Sequence, residues 1–563
     1  MDRLAGALQT DGGRHTLLWA ENSAPIRNEA TGAEAIVLGP AAKRANDIAH
    51  ELTRAPGATA KALDNLHRAA GGFAFALWES AEGRLTLGTD SLGLQAIYYR
   101  GSGDEIEFGA RLTDLSPPDE RKKLQLASLN HFLIYLSLPP GKTLLGGVRR
   151  TPPGVSLRFP DEGDPHCLYP IETEPVSSEV ATSAKLLDIL KTSINRALSG
   201  IPDDEPAGIL LSGGIDSTAL LALAKQIRGD APIIAIHASP EGNPDREYAR
   251  RMAEKYGAEF LDIKLGADDA AKSLAWIVSS MEAPGGNASA VANCRAFAMA
   301  RERGVGRIIS GLGSDEIFCG QGKHLLAPWW PWLARLPRPI RGLASMLAPT
   351  EKKEALRRAL EEDNAAEMHR SLYAFFSNEE SAAIKSGLAQ MAKVNPYSWR
   401  EPLGTGFPPV YSSELLQVDL NTWLRSSLTP MAGTLSAANG IELLLPFCSP
   451  EAVNLSASLP LSWKVRGREG KRLLRRTLSG IIPQEIFERP QQGFTVPMSQ
   501  WLRGDLAPLA RELLSPEKVE PWNIIAPGAL AHMLNEHESE KRDRSLPLWA
   551  WMTFSIWYER FAG

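Results

Sequence analysis

Leu211-Ser212-Gly213-Gly214-Ile215-Asp216-Ser217-Thr218 stands between two patterned segments. Before it lies AGILL (Ala207–Leu211), an apolar run of strand length. After it lies STALLALAKQI (Ser217–Ile227), with apolar residues at helical spacing. The succession predicts a strand, a glycine turn and a helix. Gly213 and Gly214 have no Cβ, so the backbone can turn sharply and approach a ligand closely. Ser212, Ser217 and Thr218 add hydroxyl donors, and the free N–H groups of a helix start favour a phosphate or pyrophosphate. The GxxxxGK[ST] spacing of a Walker A loop is absent.

The same grammar continues downstream. A strand (PIIAIHA, Pro232–Ala238), a helix (REYARRMAEKY, Arg246–Tyr256), a strand (EFLDIKL, Glu259–Leu265) and two helical stretches lead to GRIISG (Gly306–Gly311), the strand expected to close the series. Upstream, Lys185–Leu198 has helical spacing. Strands alternating with helices of this length imply parallel βαβ units in an α/β sheet with helices on both faces. Ligands of such sheets bind at the carboxyl ends of the strands. A second loop, Ser310-Gly311-Leu312-Gly313-Ser314-Asp315-Glu316, follows GRIISG, so Asp216 and Asp315 are expected on one edge. Two carboxylates beside a polyphosphate suit Mg2+, which takes oxygen ligands. The alternative for Asp315 is a helix cap.

The first part of the chain reads differently. Arg84–Asp90, Gln95–Gly101 and Glu105–Arg111 are short β-rich runs between turn residues, and Gly71–Ser80 (GGFAFALWES) suits a strand buried on both faces of a layered sheet. Phe159–Glu179, rich in Pro, Asp, Glu and Ser, reads as a linker. The expected domains are 1–170 and 180–563. Residues after Gln321 read as largely helical, and the Trp-rich Leu325–Pro349 as amphipathic helices packed on a core, with a membrane-surface or partner-docking role as the alternative.

Composition narrows the function class. The 563 residues are 44% hydrophobic and 23% charged, an ordinary globular mixture. A net charge of −5 disfavours a protein built to grip nucleic acid. Four cysteines (167, 294, 319, 448) without CxxC spacing read as free thiols. The opening MDRLAGALQTDGG lacks an apolar core and no uninterrupted run of 18 apolar residues occurs, so a cytoplasmic protein without membrane or nucleic-acid partners is expected.

SGGIDST (Ser212–Thr218) and SGLGSDEIFCG (Ser310–Gly320) resemble the synthetase loops of the asparagine synthetase family, SGGxDS and SGxGSDE. Leu461–Gly504 resembles that family's C-terminal stretch. Gly71–Ser80, Thr89–Tyr99, Phe108–Leu115 and Gly146–Phe159 resemble its amidotransferase-type domain, so the likeness spans nearly the whole chain. It implies a layered antiparallel amidotransferase-like domain followed by a parallel-sheet ATP pyrophosphatase domain with a helical C-terminal part. It also implies an enzyme that adenylates a carboxylate with ATP, releases pyrophosphate and lets an amine attack. By the same resemblance Ser212, Gly213, Gly214, Asp216 and Ser217 hold pyrophosphate, and Asp216 and Asp315 bind Mg2+. Leu211, Thr218, Gly311, Leu312, Gly313 and Ser314 complete the nucleotide loops, and backbone around Ile236 and His237 meets adenine. Lys471 matches the lysine that neutralises charge on the phosphates and the tetrahedral intermediate, which lowers a barrier where negative charge builds. Its alternative is a solvated charge beside Arg468, Arg472 and Arg475.

Departures from the pattern are as informative. Glutamine-using members carry cysteine at position 2; Asp2 stands here and cannot act as a thiolate nucleophile. The Arg-Gly-Pro-Asp and Asn-Gly-Glu glutamine patterns are absent, and Thr89 and Ser91 flank Asp90 where the family has arginine. Loss of glutaminase activity is therefore expected. Leu312 stands where ammonia-using relatives have Glu and β-lactam synthetases Tyr. In GIELLLPFCS (Gly440–Ser449), Leu444 and Ser449 replace the family's Arg and Asp, removing a bidentate carboxylate partner. Glu442 is a candidate general base or amine-orienting group, against a structural ion pair. Glu282 in MEAP ranks second for that role. The expected activity is an ATP- and Mg2+-dependent amide ligase of the lasso-peptide macrolactam cyclase type, joining a carboxylate-bearing peptide or small molecule to an amine. A peptide substrate would bring a delivering partner protein. The alternatives are an asparagine synthetase fed by free ammonia, a β-lactam synthetase-like ligase, and a non-catalytic nucleotide-binding scaffold.

Overall fold

Three sheets organise the chain in the computed structural model. It describes residues 5–11, 14–19, 25–39, 42–54, 71–102, 105–115, 123–160, 166–333, 335–337, 340–341, 350–362, 364–376, 411–489 and 496–563. Parts of two expected segments, Leu325–Pro349 and Leu461–Gly504, lie outside the described residues, as does Asp2.

Two antiparallel sheets use strands up to residue 167. One joins β1 (Ala5–Asp11), β2 (Arg14–Trp19), β7 (Tyr98–Ser102), β8 (Glu105–Gly109) and β9 (Val148–Arg150) in the order β2-β1-β8-β7-β9. The other joins β3 (Ile26–Arg27), β4 (Ala33–Leu38), β5 (Ala74–Glu79), β6 (Arg84–Thr89), β10 (Val155–Phe159) and β11 (His166–Cys167) in the order β11-β10-β6-β5-β4-β3. Every residue of β5 is buried, and alternation explains it. Ala74, Ala76 and Trp78 pack with Ile97, Tyr99, Ile106 and Phe108. Phe75 and Leu77 pack instead with Ala49 and Leu52 of the Ala42–Arg54 helix. The strand expected from Gln95 starts only at Tyr98, because Asp90 accepts the N–H groups of Leu92, Leu94 and Gln95 and holds that stretch in a turn.

The third sheet is wholly parallel. It consists of β12 (Ala207–Leu210), β13 (Ile233–Pro240), β14 (Glu259–Leu265), β15 (Arg307–Ile309) and β16 (Glu442–Leu444), in the order β14-β13-β12-β15-β16. The expected closure at Gly306–Gly311 is therefore corrected. β16 returns from the helical region to pair with β15, Arg307 opposite Glu442 and Ile309 opposite Leu444. Leu443 and Leu444 are buried there, which is why this apolar run extends rather than coils. The chain runs outward from β12 to β14 on one side and from β15 to β16 on the other. The switch of direction falls between β12 and β15, and the crevice it opens lies at their carboxyl ends.

Helices cover the sheet. Glu179–Leu198 is capped by Ser178, whose hydroxyl accepts the Ala181 N–H at 3.2 Å, and it turns Leu186, Leu190 and Ile194 inward at helical spacing. Ser545–Phe561 buries Trp549, Trp551, Phe554 and Trp557. In the Trp-rich segment Trp330 is buried against Ala359, Leu360 and Met368, while Trp329 and Trp332 are exposed. Among the described residues no helix is long and apolar enough to cross a membrane. The antiparallel layers dock onto the third sheet's helices through Gln95 Nε2 to the Gly433 carbonyl (3.2 Å) and Thr429 Oγ1 to the Leu92 carbonyl (2.6 Å).

Candidate active site

Parallel strands deliver their following loops to one edge, and the two glycine loops meet there. The Ser314 hydroxyl donates to Asp216 Oδ1 at 2.9 Å, tying the second loop to the first. Lys471 Nζ sits between both carboxylates, 2.5 Å from Asp216 Oδ2 and 2.5 Å from Asp315 Oδ1. Its side chain is 2% exposed and its backbone is left-handed (φ 55°), a conformation that non-glycine residues adopt at a cost. That conformation precedes the Arg472–Leu478 helix and aims the ammonium at the loops. Lys471 is thus no solvated surface charge.

Electrostatics follow from this packing. Burial alone would strip the proton from Lys471, but Asp216 and Asp315 outweigh it and hold its pKa above the usual lysine range. Burial raises Asp216 despite the pull of Lys471, with Asp315 adding to the rise. For Asp315 burial acts upward too, yet Lys471 prevails and the net shift is down. Two carboxylates and one ammonium leave one net negative charge. That balance, with hard oxygen donors, fits a divalent cation accompanying a polyphosphate.

The first turn is built for close approach. Gly213 has φ 75°, and a Cβ there would lie 2.9 Å from the Ala249 nitrogen and 3.0 Å from the Asp245 carbonyl. The hydroxyls of Ser212 and Ser217 lie 3.0 Å apart, and Gly214 is the residue before the helix Ile215–Arg228. In the second loop Gly313 has φ 86°, and a Cβ would fall 2.2 Å from Cys448 Sγ; Gly311 lies against Asp216 Cβ. Leu211, just past β12, and Ile236, inside β13, are buried and joined by the Leu211 N–H to Ile236 carbonyl bond (2.8 Å).

Several expected residues stand elsewhere. Thr218 is fully buried, so its hydroxyl does not line the open turn. His237 is buried between the Leu211 carbonyl (2.7 Å) and Ser239 Oγ (2.9 Å), and burial lowers its pKa. It is a neutral strand residue rather than a base. Leu312 offers backbone only, its carbonyl accepting from Cys448 Sγ at 3.4 Å. Glu442 sits at the amino end of β16, away from the loops, bound to Arg307 Nε at 2.6 Å. The general-base reading gives way to the ion pair. Glu282 accepts from Arg111 Nε (3.1 Å), Leu112 N–H (2.5 Å) and Thr113 Oγ1 (3.1 Å), so its carboxylate clamps the two domains together.

Three contributors escape sequence reading. Arg489 donates to the Gly213 carbonyl at 2.6 Å, pairs with Asp245 and stacks over the Tyr248 ring at 4.5 Å, which fixes the turn from behind. Gly320 lies so close that a Cβ would stand 1.9 Å from Asp315 Oδ1 and 2.1 Å from Lys471 Cε. A Cβ on Gly470 would meet the Cys319 carbonyl at 2.4 Å. The glycine immediately before Lys471 is the one sequence signal for this last contact.

The family profile described as Asparagine synthase matches residues 185–559, and that described as Glutamine amidotransferase domain matches residues 59–169. Among curated proteins, asparagine synthetase [glutamine-hydrolyzing] 1 of Bacillus subtilis (strain 168) is 23% identical over 497 residues, covering 87% of this chain and 77% of the relative. A protein of Mycobacterium tuberculosis (strain ATCC 25618 / H37Rv), provisionally designated the same kind of enzyme, is 27% identical over 529 residues, with 88% and 77% covered. Asparagine synthetase [glutamine-hydrolyzing] 3 of Bacillus subtilis is 23% identical, covering 77% of this chain and 69% of the relative.

Proposed function

The chain belongs to the asparagine synthetase family, and on that premise we propose that it is an ATP-dependent amide ligase of the macrolactam cyclase type, joining a carboxylate to an amine that glutamine does not supply. The observation that carries the reading is the buried Lys471 held between Asp216 and Asp315 at the switch point of the sheet. A phosphate tail on the Gly213–Gly214 turn would meet free N–H groups, and Lys471 would stand where charge accumulates on the phosphates. Asp216 and Asp315 would hold Mg2+, which supplies charge neutralisation on the polyphosphate. The substrate carboxylate oxygen attacks the α-phosphorus and pyrophosphate leaves; the amine then attacks the acyl carbon and AMP leaves with that oxygen. No cysteine occurs between Met1 and His166 to serve as an amidotransferase nucleophile in those residues. Leu312 in the second loop and the loss of an arginine at Leu444 leave the acceptor side without a cation from those two positions, which suits a peptide better than a small zwitterion.

The glutamine-hydrolysing names of the relatives favour a second reading, asparagine formation. One experiment separates them. The purified protein is incubated with ATP, Mg2+ and either peptide carboxylates or aspartate with ammonium or glutamine. AMP and pyrophosphate with a peptide, lost in Asp216→Asn, support the ligase reading. Asparagine formation replaces it with the second, and release of glutamate from glutamine removes the claim about the amine. ADP and phosphate as products overturn both.

A further inference from the structure

A cleft of about 980 Å³, counting its open mouth, lies between the antiparallel layers and the third sheet's helices. Its wall is largely apolar, with Leu138, Ile277, Met281, Met431 and Trp557 among its residues. Three cations share that wall: Lys142 and Arg150 from the first domain and Arg425 from the second. Among the described residues none of the three makes a direct ion pair with a carboxylate, although the Asp90 charge acts on Arg425 from a distance. Arg425 is held only by a 3.5 Å contact from Nη1 to Asn421 Oδ1, its Nε has no acceptor, and burial weakens its hold on its proton. The Arg150 guanidinium donates to the Gly93 carbonyl at 3.3 Å. The single acid on the wall, Glu282, is saturated by Arg111, Leu112 and Thr113.

Two further lining residues carry donors without acceptors, the Asn287 amide Nδ2 and the Trp549 indole Nε1. Asn287 Oδ1 already accepts from Ser289, which fixes the amide's NH2 as the idle end. A half-buried guanidinium that feels Asp90 but makes no direct ion pair is under-satisfied, and a wall with surplus donors and cations is complementary to an anionic acceptor. The cleft also adjoins the candidate active site. Leu424, next to Arg425, approaches the Cβ direction of Gly313 at 3.4 Å, in the loop that carries Asp315.

We propose that this inter-domain cleft binds a carboxylate-bearing, largely apolar substrate, with Arg425 as the principal carboxylate contact in place of the arginine absent at Leu444. The proposal deepens the ligase reading, since it names what the acceptor side recognises, and it rests on that reading only for the substrate's fate. The body of the ligand lies on the leucine, methionine and tryptophan wall. Arg150 and Lys142 add positive potential, and Arg425 offers a planar fork matched to a carboxylate.

The test uses N-octanoylglycine and its carboxamide, which differ only in the terminal charge, titrated calorimetrically into the full chain. The expected result is binding of the acid at least tenfold tighter than of the amide. That preference should vanish in Arg425→Gln and persist, weakened, in Arg425→Lys, with the melting temperatures of both variants confirming that they fold. Equal binding of acid and amide, undiminished preference in R425Q, or no binding of the acid to the wild type each overturns the proposal. Titration with ATP and Mg2+ runs in parallel. Failure there, with the acid preference intact, sinks the ligase reading and leaves the carboxylate site standing.

Discussion

Gly320→Ala presses directly on the geometry of the charged triad. The added methyl would start 1.9 Å from Asp315 Oδ1 and 2.1 Å from Lys471 Cε. Non-bonded carbons and oxygens rest at about 3.5 Å, so both groups must retreat by about 1.5 Å. Lys471 is buried and cannot go far, whereas the Asp315 side chain is 43% exposed and can swing into solvent. The backbone at Gly320 is not left-handed, so alanine adopts it without strain and lowers the entropy of the unfolded chain. The clash with the pinned lysine remains, so the stability loss should fall in the overpacking range of about 1–3 kcal/mol. The folded variant should also lose activity, because a displacement of about 1 Å in a catalytic constellation costs roughly a hundredfold in rate. Urea unfolding and AMP release on the same preparation give the two numbers. AMP formation within threefold of wild type, in a folded variant, would refute the reasoning that the Asp315–Lys471 contact sets the rate.

Two other outcomes follow from buried carboxylates at the first domain's border and in its turn. Glu282→Gln leaves Arg111, Leu112 and Thr113 facing an amide in place of a carboxylate; at about 2–3 kcal/mol for charged hydrogen bonds, the antiparallel layers should unfold ahead of the rest, and a single unchanged denaturation transition would contradict the clamp. Burial raises Asp90 to about 6, against the lowering effect of N–H donors from Gln95, Leu94, Leu92 and Phe73. The folded state then holds this proton more tightly than the unfolded chain, so its contribution is complete below pH 3.8 and lost as pH rises through 6. At about 1.4 kcal/mol per pH unit the loss is on the order of 3 kcal/mol. Denaturant midpoints measured between pH 4 and 7 should lose this component in Asp90→Asn, and identical pH profiles for variant and wild type would contradict it.

Legibility in the sequence tracks the range of the interaction. The elements β12 to β15 and their helices are written in local periodicity, and SGGIDST and SGLGSDE carry their chemistry in adjacent residues. β16 is hidden because three residues make a weak pattern and its partner, β15, is remote in the chain. Glu442 and Glu282 mislead for a related reason. A carboxylate's role depends on which guanidinium folding brings to it, and Arg307 and Arg111 are far away in sequence. Arg489 and Gly320 lie inside the quoted stretches, but they act through a backbone carbonyl and an absent methyl, so their residue types alone do not announce a role.

The order in which the triad's members leave the ribosome has its own consequence. Asp216 and Asp315 emerge well before Lys471, and the outermost parallel strand comes between the second acid and the lysine. Until Lys471 is made, the two carboxylates lack the cation that pairs with both in the finished chain. The ammonium that balances the two carboxylates is supplied only by the last sixth of the polypeptide, so the triad is the latest part of this sheet edge to be completed.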